Sequence, residues 1–489
     1  MLKIIKGTDV SILDVFTSVH LGISTFELME RAAHSFVRWF IDQSFSKSSR
    51  IAVFFGAGNN GGDGLAIGRL LYKQGYSIHL FSCFDPDFSL SPDCRKNFEL
   101  RPFDVLNSSW NEFNGEDFDL VIDSFLGVGL KGSLRDEAKS IISKINSFKG
   151  KKISVDLPSG LPSEGYCSWE CVNAEITVTF AFPKLSLLLP ENVKYSGELE
   201  VVDIGIPESH YVQFNSDFYF LEETDLSKFH KKFHRFSHKG DFGKVLLIAG
   251  SKGKMGAAIL STKSALRTGS GLVTCLIPEE ERYAIHSSVP EAMAIFTDSE
   301  INFSGYDSIG IGPGLGLDKV SLLERVFDNF FHPLVLDADA LSILANNPQL
   351  LSKIPKGSIL TPHLGEFDRL FGQFETHFDR LKFARDFCIS HQLNLVVKGA
   401  NTVICLSDGR QIFNSSGCKH MATAGVGDVL TGMLTSFLGQ GYSPEAAMIC
   451  GVFHHGLAGE LAGKEKVRSM MASDLIDQIP ASFKKLGVE

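Results

Sequence analysis

Short, wholly apolar runs alternate along the chain with segments of helical apolar spacing. Residues 25–41 place Leu28, Ala32, Phe36 and Phe40 four apart, which predicts an amphipathic helix. IAVFF (51–55) has the pattern of a parallel strand covered on both faces. Residues 64–74 then predict a helix, 77–81 a strand, and 118–123, 151–156 and 176–182 further strands. The polar, basic stretch LEETDLSKFHKKFHRFSHKGDFG (221–243) interrupts the alternation and reads as a connector. KVLLIAG (244–250) restarts it, with a helix at 256–268, strands near 272–277, 307–311, 333–337 and 394–398, and a late helix near Asp428. This is the pattern of an α/β protein with two doubly wound domains. A boundary at 215–235 gives a Rossmann-like sheet over 1–215 and a second sheet over 230–489.

Composition supports that division. At ~100–200 residues per domain, 489 residues fit two to four domains. An apolar share of 44% and a charged share of 21% exclude disordered and low-complexity classes. The 40 phenylalanines read as core filler. A net charge of −10 argues against a nucleic-acid partner. No apolar run approaches the ~18–20 residues of a membrane span, and MLKIIKGTDVSILDV lacks a signal-peptide core, so no membrane partner is expected. The nine cysteines are scattered, with no CxxC and Cys167 and Cys171 the closest pair, which points to a reduced cytoplasmic location without zinc.

Three strand exits in the first half carry chemistry. GAGNNGGDG (56–64) follows IAVFF directly, and Gly56, Gly58 and Gly61 satisfy the G-x-G-x-x-G of dinucleotide sites. Asn59, Asn60 and Asp63 crowd the spot a pyrophosphate would need bare, and suit a cation or the polar edge of a ligand better. Asp123 closes the next strand and leads into GVGLKGS (127–133); Asp156 closes another and leads into LPSG. In a parallel sheet these points share the carboxyl edge. Asn60, Asp123 and Ser159 offer three oxygens to one hard cation, and Lys131 with neighbouring N–H groups suits phosphate. The plain alternative for each aspartate is a helix cap after a strand.

In the second half no Walker A loop exists, because Met255 stands in GSKGKMG where Ser or Thr is needed. MATAGVGDVLTG (421–432) instead leads small residues into Asp428 at a helix start. Backbone N–H groups of 424–427 make an anion hole, and the adjacent carboxylate suits removal of a hydroxyl proton during phosphoryl transfer. The alternative is a glycine-rich loop with Asp428 as cap. Lys398 and the 399–402 turn suit nucleotide phosphates, while His363, Glu366, Asp337 and Asp339 stand at neighbouring strand exits.

As a set, GAGNNGGDG, VIDSFLGVGLKG (121–132), SVDLPSG (154–160), VTFAFPK (178–184), VVDIGIP (201–207) and ELMERAA (27–33) resemble the NAD(P)H-hydrate epimerase domain over about 1–210. That resemblance implies interconversion of the R and S hydrates of NADH and NADPH around a potassium ion. Residue by residue it implies hydrate contacts at Asn59, Asn60, Gly61, Gly62, Asp63, Gly127, Val128, Gly129, Leu130, Lys131, Gly132, Ser133 and Asp156, with Asp156 also catalytic. The implied potassium ligands are Asn60, Asp123 and Ser159. HKGDFGKVLLIAGS (238–251), GAA (256–258), ALRTGSGLV (265–273), GPGLG (312–316), DADAL (337–341), TPHLGE (361–366), VVKGANT (396–402) and GVGDVLTG (425–432) resemble the NAD(P)H-hydrate dehydratase domain, of ribokinase-like fold, over about 230–489. There the resemblance implies Ala258, Gly314, Gly316, His363 and Asp428 toward the S-hydrate. It puts Lys398, Gly399, Ala400, Asn401, Thr402 and Gly427 toward magnesium-bound ADP or ATP, with ADP preferred and Asp428 as base. The chain departs from the family's GNPGMATGGTGD at Cys418, His420, Ala424 and Val426. The expected protein is a bifunctional isomerase and lyase, assembled as a homo-oligomer, acting on NADH-hydrate and NADPH-hydrate. A Rossmann oxidoreductase fused to a small-molecule kinase, or a nucleotide-sensing binding protein, remains the alternative at this point.

Overall fold

The computed structural model describes residues 1–488 apart from 86, 87, 131, 298 and 299. It divides into two compact units. Leu2–Phe218 with Thr376–Phe378 forms one, and Met1, Tyr219–Glu375 and Asp379–Glu489 form the other.

The first unit is built on the strands Arg50–Phe55 (β1), Ser77–Ser82 (β2), Leu106–Ser109 (β3), Leu120–Ser124 (β4), Lys151–Val155 (β5), Ile176–Phe180 (β6) and Glu198–Val202 (β7). Their order is β3-β2-β1-β4-β5-β6-β7, every pair parallel. The apolar run of β1 has a simple cause: its residues serve two cores at once. Ile51, Val53 and Phe55 pack with Leu28, Ala32, Phe36, Phe40, Ile67 and Leu71 on one face. Ala52 and Phe54 pack with Phe81, Phe113, Ile141, Ile145 and Phe148 on the other. Side chains alternate across a strand, so both faces must be apolar. Much of the second face is phenylalanine; the rings of Phe54 and Phe113 stand 4.9 Å apart, edge to face.

The helix read at 25–41 runs Thr25–Asp42, started by a reciprocal cap between Ser24 and Glu27. The helix read at 64–74 instead begins at Asn59 and ends at Lys73. Asn59 and Asn60 belong to its first turn, and Asp63 is its fifth residue rather than a cap. Polar residues there carried no apolar period to reveal the start. The strand order reverses between β1 and β4, so a crevice opens at their carboxyl ends.

The second unit contains Lys244–Ile248 (β8), Leu272–Ile277 (β9), Met293–Phe296 (β10), Ser308–Ile311 (β11), Val335–Leu336 (β12), Ile359–Leu360 (β13), Asn394–Val397 (β14), Val403–Cys405 (β15) and Gln411–Asn414 (β16). The order is β16-β15-β14-β13-β12-β11-β8-β9-β10. Pairing is parallel from β10 to β14 and antiparallel at β14–β15–β16. Helices Met255–Arg267 and Val426–Gly439 flank this sheet. The second of these begins two residues before Asp428, so Asp428 sits inside the first turn. The switch of direction here falls between β8 and β11. Among the described residues no single helix is long and apolar enough to cross a membrane.

Candidate active sites

In the first unit, the loops leaving β1 and β4 touch backbone to backbone. A Cβ on Gly56 would lie 2.0 Å from the Phe125 carbonyl oxygen, and one on Gly127 would lie 2.9 Å from Asn60 Cβ. Neither position admits a side chain, so the glycine-rich run is required by close approach as much as by any ligand.

That approach brings Asn60, Asp123 and Ser159 to one place. Asn60 Nδ2 donates to the Leu126 carbonyl at 2.9 Å, and Leu126 N–H donates to Ser159 Oγ at 2.8 Å. Asp123 is fully buried and accepts from Ser159 Oγ, Ser159 N–H at 2.9 Å, Ser154 Oγ at 2.8 Å and Phe125 N–H at 3.3 Å. Burial raises its carboxyl pKa, and these donors pull against the rise. Asn60 Oδ1 is buried with no hydrogen-bond partner. An orphaned amide oxygen beside a buried carboxylate is the donor chemistry a hard cation takes.

Asp156 leaves β5 with φ 64°, a left-handed conformation that a non-glycine residue holds only under restraint. The restraint is visible. Lys184 Nζ pairs with its carboxylate, Thr179 Oγ1 donates to it at 3.0 Å and Phe180 N–H at 3.2 Å. Two more carboxyls couple to this pair. Asp63 is pushed well above the usual range by burial, with Asp156 and Asp14 adding to the rise and Lys184 opposing it. Asp14, on the helix Gly7–Leu21, is raised to about 6, mainly by burial. The crevice therefore holds one lysine-paired carboxylate and two carboxyls that keep protons more tightly than usual. Asp14 and Lys184 have no place in the sequence reading of the site. Lys184 closes VTFAFPK and was readable there; Asp14 gave no local signal.

The loop after β4 carries Gly127, Val128, Gly129, Leu130, Gly132 and Ser133, with Gly129, Gly132 and Ser133 exposed. Lys131 lies outside the described residues.

In the second unit, a cleft of about 450 Å³ is lined by His363, Lys398, residues 421–424, Val426 and Gly427. Asp337 anchors its floor. Lys398 Nζ donates to Asp337 Oδ1 at 2.7 Å and lies 3.7 Å from Glu366, while Thr431 Oγ1 donates to Asp337 Oδ2 at 2.7 Å. Burial disfavours the Lys398 charge, yet Asp337, Glu366 and Asp428 together hold its pKa above the ordinary value. Asp428 is raised to about 6, first by burial and then by Asp337, with Lys398 opposing. A carboxylate so tuned is ionised at neutral pH and still basic enough to take a proton.

Gly399, Ala400 and Asn401 form the turn beyond Lys398, closed by Thr402 Oγ1 donating to the Gly399 carbonyl at 3.0 Å. Gly316 N–H donates to Asp339 at 2.8 Å, and Ser251 Oγ to the Gly314 carbonyl at 2.8 Å, which ties the β8 and β11 exits together. Ala258 is fully buried among Val245, Leu247 and Met255, so its methyl faces the core. His363 caps the helix Leu364–Phe371: its Nδ1 accepts from Gly365 N–H at 3.0 Å and Glu366 N–H at 3.2 Å. Val426 packs with Val429 and Leu475, and Cys418 Sγ lies 3.4 Å from the Gly459 carbonyl.

Comparison with known proteins bears on both units. Residues 245–481 match a family model described as NAD(P)H-hydrate dehydratase, and residues 25–186 one described as YjeF-related protein N-terminus. The bifunctional NAD(P)H-hydrate repair enzyme of Moorella thermoacetica is 34% identical, over 100% of this chain and 98% of its own. The chain belongs to the bifunctional NAD(P)H-hydrate repair enzymes. The Escherichia coli repair enzyme is 32% identical over 94% of this chain and 90% of its own. Among solved structures, an ADP/ATP-dependent NAD(P)H-hydrate dehydratase from Bacillus subtilis, co-crystallised with ATP and magnesium, has 31% identity and a TM-score of 0.50. It covers 55% of this chain and 98% of its own. A ribokinase-like superfamily protein from Enterococcus faecalis reaches the same TM-score at 26% identity, covering 56% of this chain and 98% of its own. The ribokinase-like expectation for the C-terminal sheet holds. Similarity to repair enzymes along the full length sets aside the fusion of an oxidoreductase with a small-molecule kinase.

Proposed function

We propose that the N-terminal unit interconverts the R and S hydrates of NADH and NADPH, and that the C-terminal unit dehydrates the S form at the expense of ADP, in preference to ATP. The observation carrying this reading is Asp428. Its carboxyl is tuned to about 6 in the first turn of a helix, beside Lys398 and next to the residues that line an open cleft.

In the dehydratase, Asp428 takes the proton of the hydrate hydroxyl as that oxygen attacks the terminal phosphorus of the nucleotide. Lys398 and the N–H groups around Gly425–Gly427 offset the charge that develops on the transferred group. Asp337 holds Lys398 in place. The ring nitrogen's electron pair then expels phosphate, the neighbouring carbon loses a proton, and the double bond returns. Magnesium bound with the nucleotide neutralises phosphate charge.

In the epimerase, the work is acid–base chemistry at the hydrated carbon. Asp63, held well above the usual carboxyl range, is the proton donor, and Asp156, fixed by Lys184, is the acceptor. Asn60, Asp123 and Ser159 are the residues that would hold potassium, with the orphaned Asn60 oxygen as the supporting feature. Such an ion would pin three strand exits together and offset the Asp123 charge. Nine free, scattered cysteines support a cytoplasmic location.

One assay tests the whole reading. Racemic NADH hydrate with ADP should be converted completely to NADH, since the unreactive epimer is fed back. Conversion stopping at half would remove the epimerase assignment, and no conversion would remove the dehydratase. A faster rate with ATP than with ADP would reverse the nucleotide preference.

A further inference from the structure

The segment between β5 and β6 carries neither helix nor strand over 161–174, yet it is tied to the epimerase crevice at two points. Trp169 Nε1 donates to the Gly160 carbonyl at 2.8 Å, and Val172 N–H donates to the Ser159 carbonyl at 2.9 Å. Within it, Cys167 Sγ and Cys171 Sγ stand 3.0 Å apart, and both thiols approach the Trp169 carbonyl, at 3.1 and 3.8 Å. The two thiols are buried among Leu157, Leu161 and Leu187, but Tyr166, Ser168 and Glu170 around them are exposed. Only the loop, not the sheet, has to open for a small reagent to reach them. A disulfide needs the sulfurs at about 2.0 Å, roughly 1 Å closer than they stand.

We propose that Cys167 and Cys171 are a reversible dithiol that low-molecular-weight disulfides oxidise, and that the resulting bond slows epimerisation through the loop presenting Ser159. The hydrogen bond between the two sulfurs favours one nucleophile. It pulls Cys167 down to about 7 against its burial, and holds Cys171 protonated. The Cys167 thiolate attacks one sulfur of the small disulfide, whose S–S bond breaks and releases one small thiolate. Cys171 gives its proton to water, attacks Cys167 Sγ and expels the second small thiol. The protein loses two electrons and two protons; the small disulfide gains both and becomes two thiols. Closing the gap draws on the backbone of Cys171 and Val172, and so on Ser159. A displacement of about 1 Å at a catalytic site costs up to ~10²-fold in rate.

The readout rests on the epimerase reading, so the experiment has two arms. Full-length protein is incubated with oxidised glutathione, then mapped by mass spectrometry and assayed for epimerisation and for dehydration of pure S-hydrate. The expected result is loss of two hydrogen atoms, a Cys167–Cys171 linked peptide, a tenfold to hundredfold fall in epimerisation, unchanged dehydration, and recovery with dithiothreitol. Cys171→Ser, with reduced activity intact, should stop at a glutathione adduct on Cys167; Cys167→Ser should form neither adduct nor link. No linked peptide after prolonged incubation with a large excess of oxidised glutathione would overturn the dithiol. A linked peptide with unchanged epimerisation would overturn the control. Absence of epimerisation in the reduced protein would instead remove the function assignment, while mapping still decides the dithiol.

Discussion

Replacing Asp428 by Asn should damage catalysis and strengthen the fold together. The amide keeps shape and most hydrogen bonding but accepts no proton. Loss of a general base costs about 10²–10⁴-fold in kcat. The gain in stability follows from the raised pKa. A carboxyl that titrates near 3.8 unfolded and about 6 folded binds its proton more tightly in the folded state. Stability therefore falls as pH rises from about 4 to about 6, and the deficit stays constant above that. The interval corresponds to roughly 3 kcal/mol at most. Asp428 is partly exposed, so solvent screening reduces this to about 1–2 kcal/mol. Asp428→Asn should accordingly raise the unfolding midpoint of the C-terminal half at pH 8 and not at pH 4. The assays are S-hydrate turnover from pH 5 to 9, nucleotide Kd, and denaturant unfolding at both pH values. Wild-type turnover should decline below pH 6 as the base protonates. Near wild-type turnover in the variant would refute the base assignment. A large loss of nucleotide affinity would move the carboxylate onto the nucleotide. A variant less stable at pH 8 would refute the electrostatic argument.

Potassium-free buffer should slow epimerisation and leave dehydration of pure S-hydrate untouched; equal epimerisation in both buffers removes the cation role of Asn60, Asp123 and Ser159. Asp123→Ala strips the acceptor from four donors and should cost several kcal/mol, at about 1–3 kcal/mol per orphaned group, read as a lower midpoint of the N-terminal half. Lys184→Met leaves Asp156 buried without its cation. It should destabilise that half by about 3–5 kcal/mol and abolish epimerisation; wild-type epimerisation would remove Lys184 from the site. Cutting the chain near residue 222 should yield two fragments with separate cooperative transitions, and aggregation of both would contradict independent folding.

The central strands were legible because a parallel strand covered on both faces must be apolar throughout, as in IAVFF, whereas the edge strands Leu106–Ser109, Glu198–Val202 and Met293–Phe296 were not read. Asp123 and Asp156 were legible because each closes such an apolar run at the carboxyl edge, and Asp428 because a run of small residues leads into it at a helix start. The first helix start was not, since Asn59 and Asn60 fold into it without any apolar period. Asp14 was invisible for a different reason: it meets Asp63, Asp156 and Lys184 only through tertiary packing, and no local spacing encodes that meeting. His363 and Ala258 show the converse. Both stand in the expected segments, but one ring caps a helix and one methyl fills a core.

The His363 cap fixes a tautomer. An imidazole nitrogen that accepts two backbone N–H groups presents its lone pair to them and carries no hydrogen, so in the neutral ring the hydrogen resides on Nε2. His363 therefore meets the cleft as a donor, suited to an anionic or carbonyl oxygen, and is unavailable as a base. The ring thereby fastens the start of the helix Leu364–Phe371 and, through it, the Glu366 carboxylate near Lys398. One side chain thus both offers a donor to the cleft and fastens the turn that frames Lys398.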